Sequence, residues 1–275
     1  IDIVVHGNIG PVFDMGDEAG EVYMAMEYIP GRDLREVTKR LKAQGEVMPV
    51  DLALCVAGEV CKGLDYAHRK KGEDGKSLGI VHRDVSPSNV LISREGEIKL
   101  IDFGIARAAG RLGKTVSGRI QGKFCYMSPE QASGQPLDGR SDIFSAGLML
   151  YELLTGFRPF EGGTDLESLD LVRQCEVDPP GALNAEIPEE VDEIITKALA
   201  KDPADRYQSA DKFQIALLQY LYSTGTSPTP NDLAAFLSDL FPEGLEREEL
   251  KSARDASGSP SPPQKAMSLD EALDF

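Results

Sequence analysis

The stretch IVHRDVSPSNVLIS (residues 80–93) decides the fold and carries the densest chemistry in the chain. IDFGIAR (101–107) and CYMSPEQ (125–131) follow it. Asp84, Asn89 and Asp102 are hard oxygen donors set between short apolar runs and tight turns. A carboxylate can orient an attacking hydroxyl, and a second carboxylate with a carboxamide oxygen can hold magnesium against phosphates.

Outward from that stretch, EVYMAMEYI (21–29) and IGPVF (9–13) flank the polar DMGDEAG and predict a hairpin. A helix is expected from about Asp33 to Gln44, stopped by Gly45. Residues 50–69 place Leu52, Val56, Val60, Leu64 and Ala67 on one helical face. IVHRDV, NVLIS and EIKLID read as three short strands. SDIFSAGLMLYELLTG (141–156) is apolar almost all round, the pattern of a helix buried mid-domain. Further helices are predicted at 165–175, 188–200 and 209–222, and Asn231 is a candidate cap for an acidic pair reaching about Arg254. ASGSPSPPQ has the composition of a disordered linker.

A net charge of −17 excludes a dominant nucleic-acid role, since polyanion binding needs a basic face. The four cysteines show no C-x-x-C spacing and are expected as free thiols in a reducing, cytoplasmic setting. No apolar run reaches membrane-spanning length.

HRDVSPSN, DFG, SPE and the SDIFSAG helix, in this order and spacing, resemble the large lobe of eukaryotic-type (Hanks-type) protein kinases over residues 1–222. YMSPEQ and LYELLTGFRPF resemble the bacterial serine/threonine members most. The resemblance implies an α+β, protein-kinase-like fold: a mainly helical large lobe (30–222) behind a remnant small-lobe hairpin and hinge (1–29). An acidic helical extension (223–255) and a disordered tail (256–275) would follow. It implies phosphoryl transfer from ATP with Mg2+ to protein substrates, and a regulatory or sensor domain beyond the C-terminus. A catalytically silent kinase-like scaffold is the alternative.

By resemblance, Asp84 orients the substrate hydroxyl, and Asn89 and Asp102 hold the metal, with Gly104 letting the chain turn after Asp102. ATP would meet Met26 as gatekeeper, the Glu27 carbonyl and Ile29 amide at the adenine edge, and Leu91 beneath the ring. Asp33 would reach the ribose, and Ser88 would complete the nucleotide set. His82, Phe103 and Val12 would stack as an apolar spine. Glu130 would pair with Arg206, and Asp142 would hold the catalytic-loop backbone. Arg83 would receive a phosphate on Thr115 or Ser117, whose neighbours Arg107, Arg111, Lys114 and Arg119 are otherwise solvated charges on a loop.

Two departures stand out. Serine/threonine kinases carry lysine where Ser86 stands and threonine where Lys123 stands in GKFCYMSPE. One reading is an exchange, with Lys123 bringing positive charge to the transferring phosphate from the opposite wall; two unrelated substitutions with Lys123 in solvent are the other. The second departure is that no Gly-rich phosphate loop or strand lysine precedes Glu27. Truncation of a longer kinase is the expectation, with weak ATP binding by the isolated piece.

Overall fold

The helices are bounded by residues whose backbone or side chains finish them. Asp33 stays extended and its carboxylate accepts the Glu36 N–H at 2.8 Å, opening α1 (Leu34–Gln44). Gly45 closes α1 at φ 74, a left-handed turn in which its N–H returns to the Leu41 and Lys42 carbonyls. Helix α2 (Val50–His68) buries Leu52, Val56, Val60, Leu64 and Ala67 on the face that the spacing predicts. The computed structural model describes residues 4–18, 21–103 and 124–244. Gly104, Thr115, Ser117 and Lys123, with Arg107, Arg111, Lys114 and Arg119, lie outside them.

Beyond residue 124 come α3 (Pro129–Ala132), α4 (Gly139–Thr155), α5 (Asp165–Gln174), α6 (Glu189–Ala198), α7 (Ala210–Ser223) and α8 (Pro230–Leu240). Helix α4 is buried on nearly every side and packs on α2, α6 and α7, which makes it the centre of the helical layer. Its polar first turn, including buried Ser141 and Asp142, is therefore placed inside the protein.

Strands β1 (Val12–Glu18) and β2 (Glu21–Met26) form an antiparallel hairpin. A second antiparallel sheet runs β3 (Gly31–Asp33), β4 (Val90–Ser93), β5 (Ile98–Leu100), and Ile9 bridges to Leu100 in parallel.

Four local expectations are corrected. IVHRDV is not a strand: its amides at His82 and Arg83 are taken by the Asp142 side chain, and Arg83 sits at φ 69, outside any ladder. Most of DMGDEAG is strand, since β1 pairs through Glu18↔Glu21, whereas Ile9 bridges Leu100 instead of β2, through the Gly10 N–H to the Leu100 carbonyl and the Leu100 N–H to the Asn8 carbonyl. Strand β3, read as the approach to a helix, pairs with β4. The cap of α8 is Thr229, not Asn231, because Pro230 takes the first helical position and the Asp232 carboxylate accepts both the Thr229 N–H and hydroxyl at 2.7 Å. Helix α8 lies on α1 and β4 and sinks Leu233, Leu237 and Leu240 into the common core. Gly96 (φ 80) permits this approach: a Cβ there would come 1.7 Å from the Pro230 carbonyl oxygen.

Candidate active site

The HRD loop is built from α4 outward. The Asp142 carboxylate, wholly buried, accepts the His82 and Arg83 N–H groups at 2.8 Å each and lies 2.7 Å from His68 Nε2. From α3, Gln131 Nε2 donates to the Arg83 carbonyl at 2.8 Å. Arg83 (φ 69) and Asp102 (φ 65) both hold a left-handed conformation that costs a non-glycine residue free energy and persists only where the surroundings enforce it.

His82 Nδ1 accepts the Asp84 N–H at 3.2 Å, so its proton sits on Nε2 and points to the Ile101 carbonyl at 3.0 Å. Burial lowers the imidazole's pKa against the pull of Asp142, keeping the ring neutral. That suits its tilted packing on Phe103, with ring centroids 4.5 Å apart. Val12 lies in β1 as the register partner of Met26.

Asn89 Nδ2 donates to the Asp84 main-chain oxygen at 2.7 Å and to Asp84 Oδ2 at 3.0 Å. Both amide protons are thus turned to Asp84, which leaves Asn89 Oδ1 as a hard oxygen for a cation. The Ile101 N–H bonds the Asn89 carbonyl at 2.9 Å, so β4–β5 pairing delivers Asp102 beside this group. Asp102 is exposed. A carboxylate and a carboxamide oxygen at adjacent strand ends fit a magnesium ion that keeps several waters.

The nucleotide candidates also converge. Asp33 and Leu91 are direct cross-strand partners in β3–β4. Leu91 and Ile29 are buried, Met26 and Ser88 half-buried, and Glu27 exposed. The Glu27 N–H bonds the Pro11 carbonyl at 3.1 Å, whereas among the described residues the Glu27 carbonyl and Ile29 N–H enter no backbone hydrogen bond. Ser86 is 2 % exposed, and among the described residues its hydroxyl has no hydrogen-bond partner. The expectation that Lys123 complements it falls outside the described residues.

Glu130 and Arg206 form a buried, two-pronged pair at 2.7 and 2.8 Å, and Ser141 Oγ donates to Glu130 Oε1 at 2.7 Å. Sequence reasoning missed His68, Gln131 and Ser141. The one signal for them is polarity at positions that helical spacing turns inward, and it does not name the partner.

Comparison with known proteins now decides the family. The protein kinase domain model matches residues 2–217. The chain belongs to the protein kinase domain family. This kinase chain is 40% identical over 242 residues to the tyrosine-protein kinase MasK of Myxococcus xanthus, covering 87% of the chain and 37% of the relative. It is 40% identical over 217 residues to the probable serine/threonine-protein kinase SCO3848 of Streptomyces coelicolor, covering 76% and 30%. To the serine/threonine-protein kinase PknB of Mycobacterium tuberculosis it is 37% identical over 221 residues, covering 78% and 33%. The kinase chain thus spans about a third of the length of the relatives it matches. No helix among its described residues is long and apolar enough to cross a membrane.

Proposed function

We propose that the chain is the catalytic large lobe of a cytoplasmic protein kinase that transfers the ATP γ-phosphate to serine and threonine hydroxyls of proteins. The observation that carries this reading is the Asp84–Asn89 unit, bonded at 3.0 Å in a loop clamped by Asp142, with Asp102 delivered alongside. Magnesium, held by Asn89 and Asp102, would neutralise charge on the phosphates. Asp84 orients the acceptor hydroxyl and takes its proton as the oxygen bonds to the γ-phosphorus and the bond to the β-phosphate oxygen breaks, releasing ADP. The hinge groups that have no backbone partner among the described residues, the Glu27 carbonyl and Ile29 N–H, are an acceptor and a donor suited to an adenine edge. Leu91 supplies the floor beneath the ring and Asp33 binds the ribose. In this reading residues up to Ile29 are the end of a small lobe, and a regulatory domain lies beyond Phe275.

Serine and threonine are favoured over tyrosine by the phrasing around SPE and by the names of most relatives, although one is named a tyrosine kinase. The test is γ-phosphate transfer from labelled ATP to protein acceptors, by the full-length protein. Phosphoserine and phosphothreonine are expected; phosphotyrosine alone overturns the acceptor assignment, and no transfer overturns the reading. In the same assay Lys123→Ala should lower kcat by about 10²-fold, the scale of one charged donor at a transferring group. Full turnover by that variant would remove the proposed exchange with Ser86.

A further inference from the structure

The segment that follows the last expected large-lobe helix is tied to the strand–helix junction that carries Asp33. Arg32, immediately before it, is 6 % exposed, so its guanidinium has been taken out of water and needs partners. Two of them come from the end of α8: the Gly244 carbonyl at 3.0 Å and the face of the Phe241 ring, 5.0 Å from the guanidinium carbon to the centroid. Glu36 adds a looser contact at 3.8 Å. Arg40, two turns along α1, lies over the same ring at 5.0 Å and is ion-paired with Glu243. One buried aromatic ring therefore engages cations on both sides of Asp33, one from β3 and one from α1. Among the described residues Arg32 Nε is buried with no acceptor, a desolvation cost that the Gly244 and Phe241 contacts must offset.

We propose that Phe241 is a positioning residue for the ribose end of the nucleotide site, acting through Arg32 and α1 to hold the Asp33 carboxylate. This rests on the ATP-site reading given above. Phe241 touches no substrate. It restrains the junction at which Asp33 is simultaneously the β3 partner of Leu91 and the cap of α1. Losing the ring's cation-binding face frees that junction and weakens the ribose contact, with the phosphate-handling residues untouched.

The test uses the full-length protein and compares ATP with 2′,3′-dideoxy-ATP. Phe241→Leu keeps apolar volume but removes the π face, and Phe241→Tyr restores it. In Phe241→Leu, KM for ATP should rise about fivefold to tenfold with kcat at saturation within about twofold, the scale of losing two cation–ring contacts. The preference for ATP over the dideoxy analogue should shrink by the same factor, and Phe241→Tyr should recover it. Equal increases in KM for both nucleotides, or a fall in kcat alone, overturn the inference. So does a Leu variant indistinguishable from wild type. Wild-type protein without ATP-dependent transfer instead removes the underlying kinase reading, and the ribose inference with it.

Discussion

Asp84→Asn is expected to lower phosphoryl transfer by about 10³-fold, within the range for removing a positioned general base. The substitution keeps the size of the side chain and its capacity to bond Asn89, so the loop should survive. Asp142 still holds the His82 and Arg83 amides, and Gln131 still holds the Arg83 carbonyl. What disappears is the anionic oxygen proposed to orient the acceptor hydroxyl and receive its proton. Asp102→Asn should cost a comparable factor by a different route. It weakens the metal site, so raising magnesium should recover part of its activity, whereas no magnesium concentration should rescue Asp84→Asn. Steady-state kinetics across a magnesium titration, with melting temperatures as a check on folding, separates the two. Identical magnesium responses would show that the division of roles between the two aspartates is wrong.

The helices were legible because each is bounded by a local signal and faces its core by periodicity. Asp33 and Gly45 delimit α1 in three dimensions as they do in the sequence, and the mostly apolar character of 141–156 on every face marks α4 as central. The loop IVHRDV misled for a physical reason. Its β-branched Ile80, Val81 and Val85 imitate a strand, yet its amides bond a side chain sixty residues away, a contact that local propensity does not contain. Strand β3 was hidden because three residues carry too little pattern, and only their pairing with β4 (Gly31↔Ser93, Arg32↔Ile92, Asp33↔Leu91) defines it. Of the candidate site, Asp84, Asn89 and Asp102 were named through the resemblance that HRDVSPSN and DFG carry together, not by spacing alone. The supports at His68, Gln131 and Arg32 could not, because each is bonded to a residue distant in sequence.

Arg206→Ala is expected to be the most destabilising single substitution at the site's foundation. All five guanidinium N–H directions of Arg206 are used: two reach Glu130, and the others reach the Ala200, Lys201 and Arg140 carbonyls at 2.7, 2.9 and 3.0 Å. Its carbon also sits 4.6 Å from the centroid of the Phe144 ring. Truncation strands a buried carboxylate and three carbonyls, a loss of about 3–5 kcal/mol. For a domain of this size that is a fall of roughly 10 °C in melting temperature. Arg206→Lys should rescue little, because a single ammonium cannot reproduce the planar fork. The loss should also reach activity, since Glu130 anchors α3, and the next residue, Gln131, holds the Arg83 carbonyl beside Asp84. The pair further sets a pH dependence. Burial alone would raise the Glu130 pKa, but the bonds from Arg206 and Ser141 outweigh it and hold the carboxyl below its ordinary value. A lowered folded-state pKa stabilises the protein above the unfolded-state value, and that contribution is lost as pH falls through the folded one. Wild-type stability should therefore decline below about pH 4.5, the ordinary glutamate value. Glu130→Gln, less stable at neutral pH, should show a shallower decline, measured by urea unfolding at successive pH values. Parallel acid limbs in the two proteins would mean that other carboxylates, and not this pair, govern the loss.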